Sequence, residues 1–169
     1  KGLYVGVDMT QPEGTLIKRL SGRDRRSLNR DSINITLDTS GEGRYGFWFG
    51  INLGDALLDG TVLPERKFSS EWNGPWRGAT AVTPHGWSAE MYIPWSMMAL
   101  PQGANVANTV GFYFERQVGH LNGDAWSNPP LPSTVNEYLS AFTKYEMEGI
   151  QPRRQLTYLP FIGGVHDDI

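Results

Sequence analysis

Apolar and polar residues alternate with a period of two along five segments of the chain, and this pattern constrains the fold more than any other feature. Successive side chains of a β-strand point to opposite faces, so such alternation gives a strand one apolar and one polar face. The five segments begin near Leu3, Ile33, Phe47, Trp87 and Val110. Weaker strand signals cover residues 57–63, 77–83, 137–142 and 155–161. The pattern predicts sheets with one buried side.

Turn signals separate these segments. These signals are glycines and prolines at residues 40–43, 73–75, 84–86 and 128–132, where glycine permits positive φ and proline ends strands. Helix signal is confined to one short turn after Pro94. We therefore predict an all-β, antiparallel β-sandwich, jelly-roll-like, with little helix. At 169 residues the chain fits one domain, which we place at residues 1–162, with 163–169 as the start of a linker or tail.

Composition excludes several classes of site. The chain has no cysteine, which removes disulfides, thiolate zinc sites and cysteine nucleophiles. A net charge of −3 gives no overall field that would attract nucleic acid. No run of 18 apolar residues is present, so the sequence predicts no membrane-spanning helix.

Residues 18–30 form the most charged stretch. This stretch contains six basic residues and a single acid, Asp24. The basic residues are Lys18, Arg19, Arg23, Arg25, Arg26 and Arg30. We favour a solvated loop whose arginines are partly paired to Asp24 and Asp31. A site for phosphate, nucleic acid or an acidic partner is the alternative, and the role of the stretch stays open.

Catalytic and metal sites have weaker support. Glycoside hydrolysis needs two carboxylates, and Glu90 and Glu115 lie on the polar sides of their strands, with Asp124 as a further candidate. The histidines lack metal-ligand spacing. Calcium is a further hypothesis, since loop carboxylates are hard oxygen donors, although their spacing matches no EF-hand; the candidates are Asp31, Asp38 and Glu42.

The six tryptophans separate into two groups. Trp87 and Trp95 are expected in the core or at its end, whereas Trp48 points away from Phe47. Trp72 and Trp76 flank a turn, where they either clamp that turn or stack on a sugar, and Trp126 lies in a polar segment. An indole face stacks on the apolar side of a pyranose ring while nearby polar groups bind its hydroxyls. The second group therefore indicates carbohydrate binding.

Seven motifs in order resemble the family 9 carbohydrate-binding modules, in the variant found at the front of large bacterial secreted or outer-membrane proteins. They are LYVGV (3–7), DSINITLD (31–38), FGIN (49–52), WNGPW (72–76), GWSAEMYIPW (86–95), GFYFER (111–116) and EGI (148–150). The resemblance implies a β-sandwich that binds oligo- or polysaccharide without catalysis, sometimes with a structural calcium ion. It also implies a secreted, periplasmic or outer-membrane location, in a larger carbohydrate-processing protein.

Two departures from the family pattern stand out. Members begin with further strands before the LYVGV run, so we expect those front strands to be missing, or to be supplied by the parent chain or by another chain. Members also stack the sugar on a tryptophan where this chain has Leu28 and bind it with an arginine where this chain has Gly50. Asn52 is kept, and Glu115 replaces a glutamine. The resulting candidate ligand residues are Trp48, Asn52, Trp72, Trp76, Tyr113, Glu115, Arg116 and Trp126.

Two further alternatives stay open, the first of which comes from related β-sandwiches. One is haem binding, with axial ligands among Met91, Met97, Met98, His85 and His120; core methionine is the commoner role of Met91. The other is a scaffold domain that packs on a following membrane barrel and binds no ligand.

Overall fold

A computed structural model describes residues 1–100, 108–132, 134, 136–148 and 150. Within them the chain forms ten strands and four single-turn 3-10 helices. The strands are β1 (Gly2–Thr10), β2 (Ser32–Asp38), β3 (Gly46–Asn52), β4 (Leu57–Leu63), β5 (Lys67–Ser69), β6 (Arg77–Thr83), β7 (Gly86–Pro94), β8 (Asn108–Val118), β9 (Asp124–Asn128) and β10 (Thr143–Met147). The 3-10 helices are Pro64–Arg66, Trp95–Met97, Gly119–Leu121 and Leu139–Ala141. None of the helices in this part of the chain has the length and hydrophobicity needed to cross a membrane.

The strands form two antiparallel sheets. The small sheet has the order β1-β7-β6, and the large sheet has the order β10-β8-β2-β3-β4-β5, with β9 paired to β8. The predicted all-β sandwich with little helix is therefore confirmed.

The main core lies between the two sheets. Inward residues of the large sheet, among them Ile35, Phe49 and Ile51, pack in one cluster with Trp87 and Ile93 of β7. Each of these five side chains is at most 1% exposed. Burying a large apolar side chain contributes about 1.5–3 kcal/mol. The inward-facing residues of the alternating segments therefore stabilise the packing of the two sheets. Trp87 is a core residue, as predicted.

A second apolar cluster covers part of the large sheet's opposite, outer face. Trp48 and Tyr113 point outward from β3 and β8, and the chain around the last 3-10 helix folds over them with Tyr138, Leu139 and Phe142. This cluster explains why the strand predicted at 137–142 is wrong. Those side chains pack down onto the sheet in a 3-10 turn, and the strand follows as β10. The strand predicted at 155–161 lies outside the described residues.

The loop between β1 and β2 is tied to the large sheet by Asp31. Its buried carboxylate accepts hydrogen bonds from Gln11 Nε2 at 3.0 Å, from the Ile17 amide at 2.7 Å and from the Gly119 amide at 2.8 Å. Asp31 therefore joins three chain segments and does not pair with an arginine of the 18–30 stretch, contrary to the sequence-based expectation.

A second anchor lies within the same loop. Arg23 Nη2 is 2.6 Å from Oδ1 of Asp59, a fully buried residue of β4, and the other oxygen of Asp59 accepts the Gly74 amide at 2.6 Å. Arg23 is also 3.8 Å from Asp24, so this part of the predicted ion pairing is confirmed. Together the two anchors hold the arginine-rich loop against the large sheet.

Candidate functional site

A groove of ≈ 260 Å³ lies on the outer face of the large sheet. Its floor follows from the strand alternation and the register. Asn34 of β2 lies directly opposite Gly50 of β3 and Glu115 of β8, so all three face outward. The arginine-rich loop and the helix at Pro64–Arg66 add residues from above, among them Arg26 and Arg66.

Four aromatic rings form one side of the groove in an unbroken row. The ring centroids of Trp48 and Phe68 are 6.3 Å apart, those of Phe68 and Tyr138 are 5.9 Å apart, and those of Tyr138 and Tyr113 are 5.3 Å apart. Edge-to-face and tilted pairs of this kind stabilise aromatic clusters. Phe68 is 43% exposed, whereas the other three are at most 6% exposed. Phe68 therefore presents the accessible ring of the row.

Glycine at position 60 allows this row to form. A Cβ at Gly60 would overlap the Ser69 carbonyl oxygen and come within 2.7 Å of Trp48 Nε1. Without it, the indole lies close to β4 and donates to Ser69 O at 3.3 Å. The small residue thus sets the depth of the groove beside Trp48.

A polar row forms the other side. Asn34 Nδ2 donates to Glu115 Oε1 at 3.4 Å, and Tyr113 Oη donates to Glu115 Oε2 at 3.2 Å. At the next outward-facing pair of β2 and β8, Ser32 Oγ donates to Gln117 Oε1 at 3.1 Å. Amide, carboxylate and hydroxyl groups in one line supply both donors and acceptors to a polar ligand.

Three arginines border the groove. The Arg26 guanidinium carbon lies 4.0 Å above the ring centre of Trp48, and that of Arg66 lies 4.4 Å from the ring centre of Tyr138. These are cation–π distances. Arg30 is buried at 4% exposure and donates to Ser21 Oγ and to the Arg25 carbonyl.

Burial shifts the ionisation of the groove side chains. Desolvation raises the pKa of Tyr113 and of Tyr138, and the nearby Glu115 charge raises both further. Both phenols therefore stay protonated at neutral pH and keep a hydrogen to donate. Desolvation lowers the pKa of Arg26, partly offset by Asp24, and lowers that of Arg30.

Three of the eight residues expected at a ligand site meet in this groove, namely Trp48, Tyr113 and Glu115. Leu28, which stands where the family resemblance places a stacking tryptophan, also lines it. At Gly50, where the resemblance places an arginine, an added Cβ would overlap the Asn34 side-chain oxygen. Asn34 therefore occupies the space above that glycine.

Trp72 and Trp76 lie elsewhere. Trp76 is 4% exposed inside the main core, with its ring centre 5.5 Å from that of Phe49. Trp72 packs on Phe47 at 4.9 Å, and its ring lies 2.6 Å from where a Cβ at Gly74 would be. These contacts favour the alternative in which the two tryptophans clamp their own turn.

The remaining three expected residues are also outside the groove. Arg116 and Trp126 are register partners on β8 and β9, on the sheet face opposite Glu115, and the guanidinium carbon of Arg116 lies 5.3 Å from the Trp126 ring centre. Trp126 is 58% exposed there. Asn52 is fully buried, and its Nδ2 donates to the Ala56 carbonyl at 3.2 Å.

Sequence reasoning missed much of the groove. Phe68 lies on a three-residue strand too short to show alternation, Arg66 ends a single-turn helix, and Tyr138 lies in the loop just before another. Asn34 carried a signal, since it alternates with Ile33 and Ile35 on the polar face of β2. The missed groove residues are Arg26, Arg30, Ser32, Asn34, Thr36, Leu58, Arg66, Phe68, Gln117 and Tyr138.

The paired-carboxylate hypothesis does not fit the fold. Glu90 points outward from β7 in the small sheet, and Glu115 points outward from the large sheet on the far side of the core. Packed sheets are about 10 Å apart, and the two side chains diverge from them. This exceeds the separation of about 5–9.5 Å used by glycosidases.

The calcium and haem candidates do not converge either. Asp31 and Asp38 lie about 23 Å apart at opposite ends of β2. The Asp38 carboxylate already accepts hydrogen bonds from Ser40 and from the Gly43 amide. Among the described residues, no three acidic or histidine side chains form a metal-binding group. The candidate haem ligands Met91 and Met98 pack in the core, whereas His85 and His120 are exposed.

No family model matches the sequence, and no curated protein sequence matches it. The structure is similar to the crystal structure of a proposed carbohydrate-binding protein from Bacteroides uniformis, with a TM-score of 0.60 and 16% identity over 86% of this chain and 71% of that one. A family 9 carbohydrate-binding module from Caldicellulosiruptor kristjanssonii, in complex with cellotriose, matches with a TM-score of 0.48 and 16% identity over 94% of this chain and 75% of that one. The Bacteroides comparison shows that this chain shares its fold with a proposed carbohydrate-binding protein.

Proposed function

We propose that this domain binds a saccharide in the groove on the outer face of the large sheet, without catalysis. The observation that carries the proposal is the pairing of an aromatic row with a line of amide, carboxylate and hydroxyl groups around one groove. Phe68 supplies the exposed ring, and Asn34 and Glu115 supply polar contacts in the same groove.

This arrangement matches the two surfaces of a sugar ring. The C–H face of a pyranose is apolar and stacks on an aromatic ring, while its hydroxyl edge needs both donors and acceptors. Phe68 meets the first need. Glu115 accepts hydrogen bonds, Asn34 both donates and accepts, and the Tyr113 oxygen, whose hydrogen is directed to Glu115, can accept. The groove volume of ≈ 260 Å³ is just below the range of about 300–1,000 Å³ typical of ligand pockets, so we expect a short saccharide segment to fill it.

The Bacteroides protein that shares this fold is a proposed carbohydrate-binding protein, which supports the same ligand class. We further propose that the domain serves a larger secreted, periplasmic or outer-membrane protein that processes carbohydrate. The resemblance of the seven motifs supports this context.

Titration of the purified chain against a glycan panel tests the proposal. We expect millimolar to micromolar binding that Phe68→Ala removes and that Glu115→Gln weakens at least five-fold. Tyr4→Ala and Glu90→Gln are the matched controls, because these exposed residues line the other cavity, of ≈ 540 Å³, on the small sheet and so report on binding there instead. Equal effects of the groove and control substitutions, or no binding across the panel, would refute the proposal.

A further inference from the structure

We propose that the groove selects an anionic saccharide, one whose ring carries a carboxylate or a sulfate ester. This inference rests on the proposed function and names the class of sugar. Its starting point is charge: Arg26, Arg30 and Arg66 line the groove, and Glu115 is the one carboxylate among its described lining residues.

These three guanidinium groups have no carboxylate partner within ion-pair distance among the described residues. The ion pairs found there join Arg23 to Asp24 and Asp59, and Arg44 to Glu42. Arg66 donates instead to the Pro132 carbonyl at 2.7 Å, and its Nε is buried without a hydrogen-bond partner.

The acid that acts on Arg26 and the acid that lines the groove are already engaged. Asp24 acts electrostatically on Arg26, but its carboxylate lies 3.8 Å from Arg23 and accepts the Asp59 amide at 3.1 Å. Glu115 accepts from Asn34 and Tyr113. The arginine side of the groove therefore keeps an excess of positive charge.

A partly desolvated cation without a counterion is costly, and a bound anion removes that cost. The geometry suits such a ligand. Arg26 lies over the Trp48 ring and Arg66 over the Tyr138 ring, so stacking holds each guanidinium in place. A guanidinium held in this way presents donors to a carboxylate or sulfate in a fixed arrangement.

The aromatic and amide groups favour a sugar over a bare anion or a nucleic acid. Phe68 and the Asn34–Glu115 pair need a ring with an apolar face and hydroxyls, which inorganic phosphate lacks. The groove offers three arginines and the whole chain has a net charge of −3, so an extended polyphosphate backbone has no continuous basic surface to bind.

Calorimetric titration of the full chain with matched oligosaccharides tests the inference. The probes are oligoglucuronate and oligoglucose of equal length and linkage, a sulfated oligoglucose, and inorganic phosphate. We expect oligoglucuronate or the sulfated sugar to bind at least ten-fold more tightly than oligoglucose at 50 mM salt, and the preference to shrink toward two-fold at 1 M salt. Whichever of oligoglucuronate and the sulfated oligoglucose binds more tightly shows whether the groove prefers a carboxylate or a sulfate ester.

Arg26→Gln and Arg66→Gln should each reduce the affinity for the anionic sugar about ten-fold and bring its preference over oligoglucose close to parity. Arg77→Gln is the matched control, since Arg77 also lies over a tyrosine ring, Tyr92, but on the small sheet. Circular dichroism melting checks that each variant folds. Equal affinity for charged and neutral sugars would overturn this inference and leave the proposed function standing. Absence of binding to every sugar would overturn both, and phosphate binding as tight as that of the anionic sugar would overturn the selectivity for a saccharide.

Discussion

Arg26 and Trp48 form a cation–π pair with the guanidinium carbon 4.0 Å from the ring centre. The indole nitrogen is held at the same time by the Ser69 carbonyl at 3.3 Å. Trp48 is consequently 6% exposed although it points away from the main core. The arginine, and not the indole, is thus the surface that a ligand meets at this end of the groove.

Arg26→Ala should uncover the Trp48 ring. We expect stronger acrylamide quenching of tryptophan fluorescence and a free energy of unfolding lower by about 0.5–1 kcal/mol, the usual contribution of a cation–π pair near the surface. The increase in quenching should vanish in an Arg26→Ala/Trp48→Phe double variant. Arg77→Ala, which removes a similar contact from Tyr92, is the control and should leave quenching unchanged.

Gly60→Ala should disrupt the aromatic row. The added Cβ meets the Ser69 carbonyl oxygen and the Trp48 indole nitrogen, neither of which can move freely. We expect a loss of about 1–3 kcal/mol in the free energy of unfolding by urea, together with weaker saccharide binding. Gly6→Ala on β1 is the control, because a Cβ there has no neighbour within 4 Å. Equal stabilities of the two variants would contradict the prediction.

The sequence allowed the sheets to be predicted because alternation is a local property. It correctly assigned Trp87 to the core and placed Trp48 on the face opposite Phe47. The groove was harder to predict, since Arg26 and Tyr138 reach it from loops that carry no periodic signal. The same loop packing buries Arg30, which a charge count alone assigns to solvent.

Trp72 and Trp76 are the opposite case, because the sequence suggested a ligand site for two residues that the fold places against the core. Tryptophans beside an Asn-Gly-Pro turn are typical of exposed loop residues, yet the turn folds back so that both rings reach Phe49. Only the tertiary contact with β3 distinguishes a core tryptophan from a stacking one at these positions.

Asp31→Asn should destabilise the fold and loosen the arginine-rich loop. The buried carboxylate accepts from Gln11, Ile17 and Gly119, and an amide oxygen replaces only one of its two acceptor atoms. Hydrogen bonds to a charged group contribute about 1.5–3 kcal/mol each, so we expect a total loss of about 2–4 kcal/mol in urea unfolding. Asp124→Asn, at an exposed position of β9, should change stability by less than about 0.5 kcal/mol.

Tyr138 should make the domain sensitive to alkali. Burial, reinforced by the neighbouring Tyr113 and Glu115, raises the pKa of Tyr138 above the value of about 10 for a free tyrosine. Between those two pKa values the folded state keeps a proton that the unfolded state has lost, so the stabilisation is complete below about pH 10 and is lost as the pH rises. This tyrosine alone should lower the free energy of unfolding by about 1.4 kcal/mol per pH unit in that window. Urea unfolding of the wild type and Tyr138→Phe from pH 8 to 11 measures the difference in slope, with Tyr4→Phe, at a 74% exposed position, as the control substitution. Parallel pH profiles for the wild type and Tyr138→Phe would show that the buried phenol does not control alkaline unfolding.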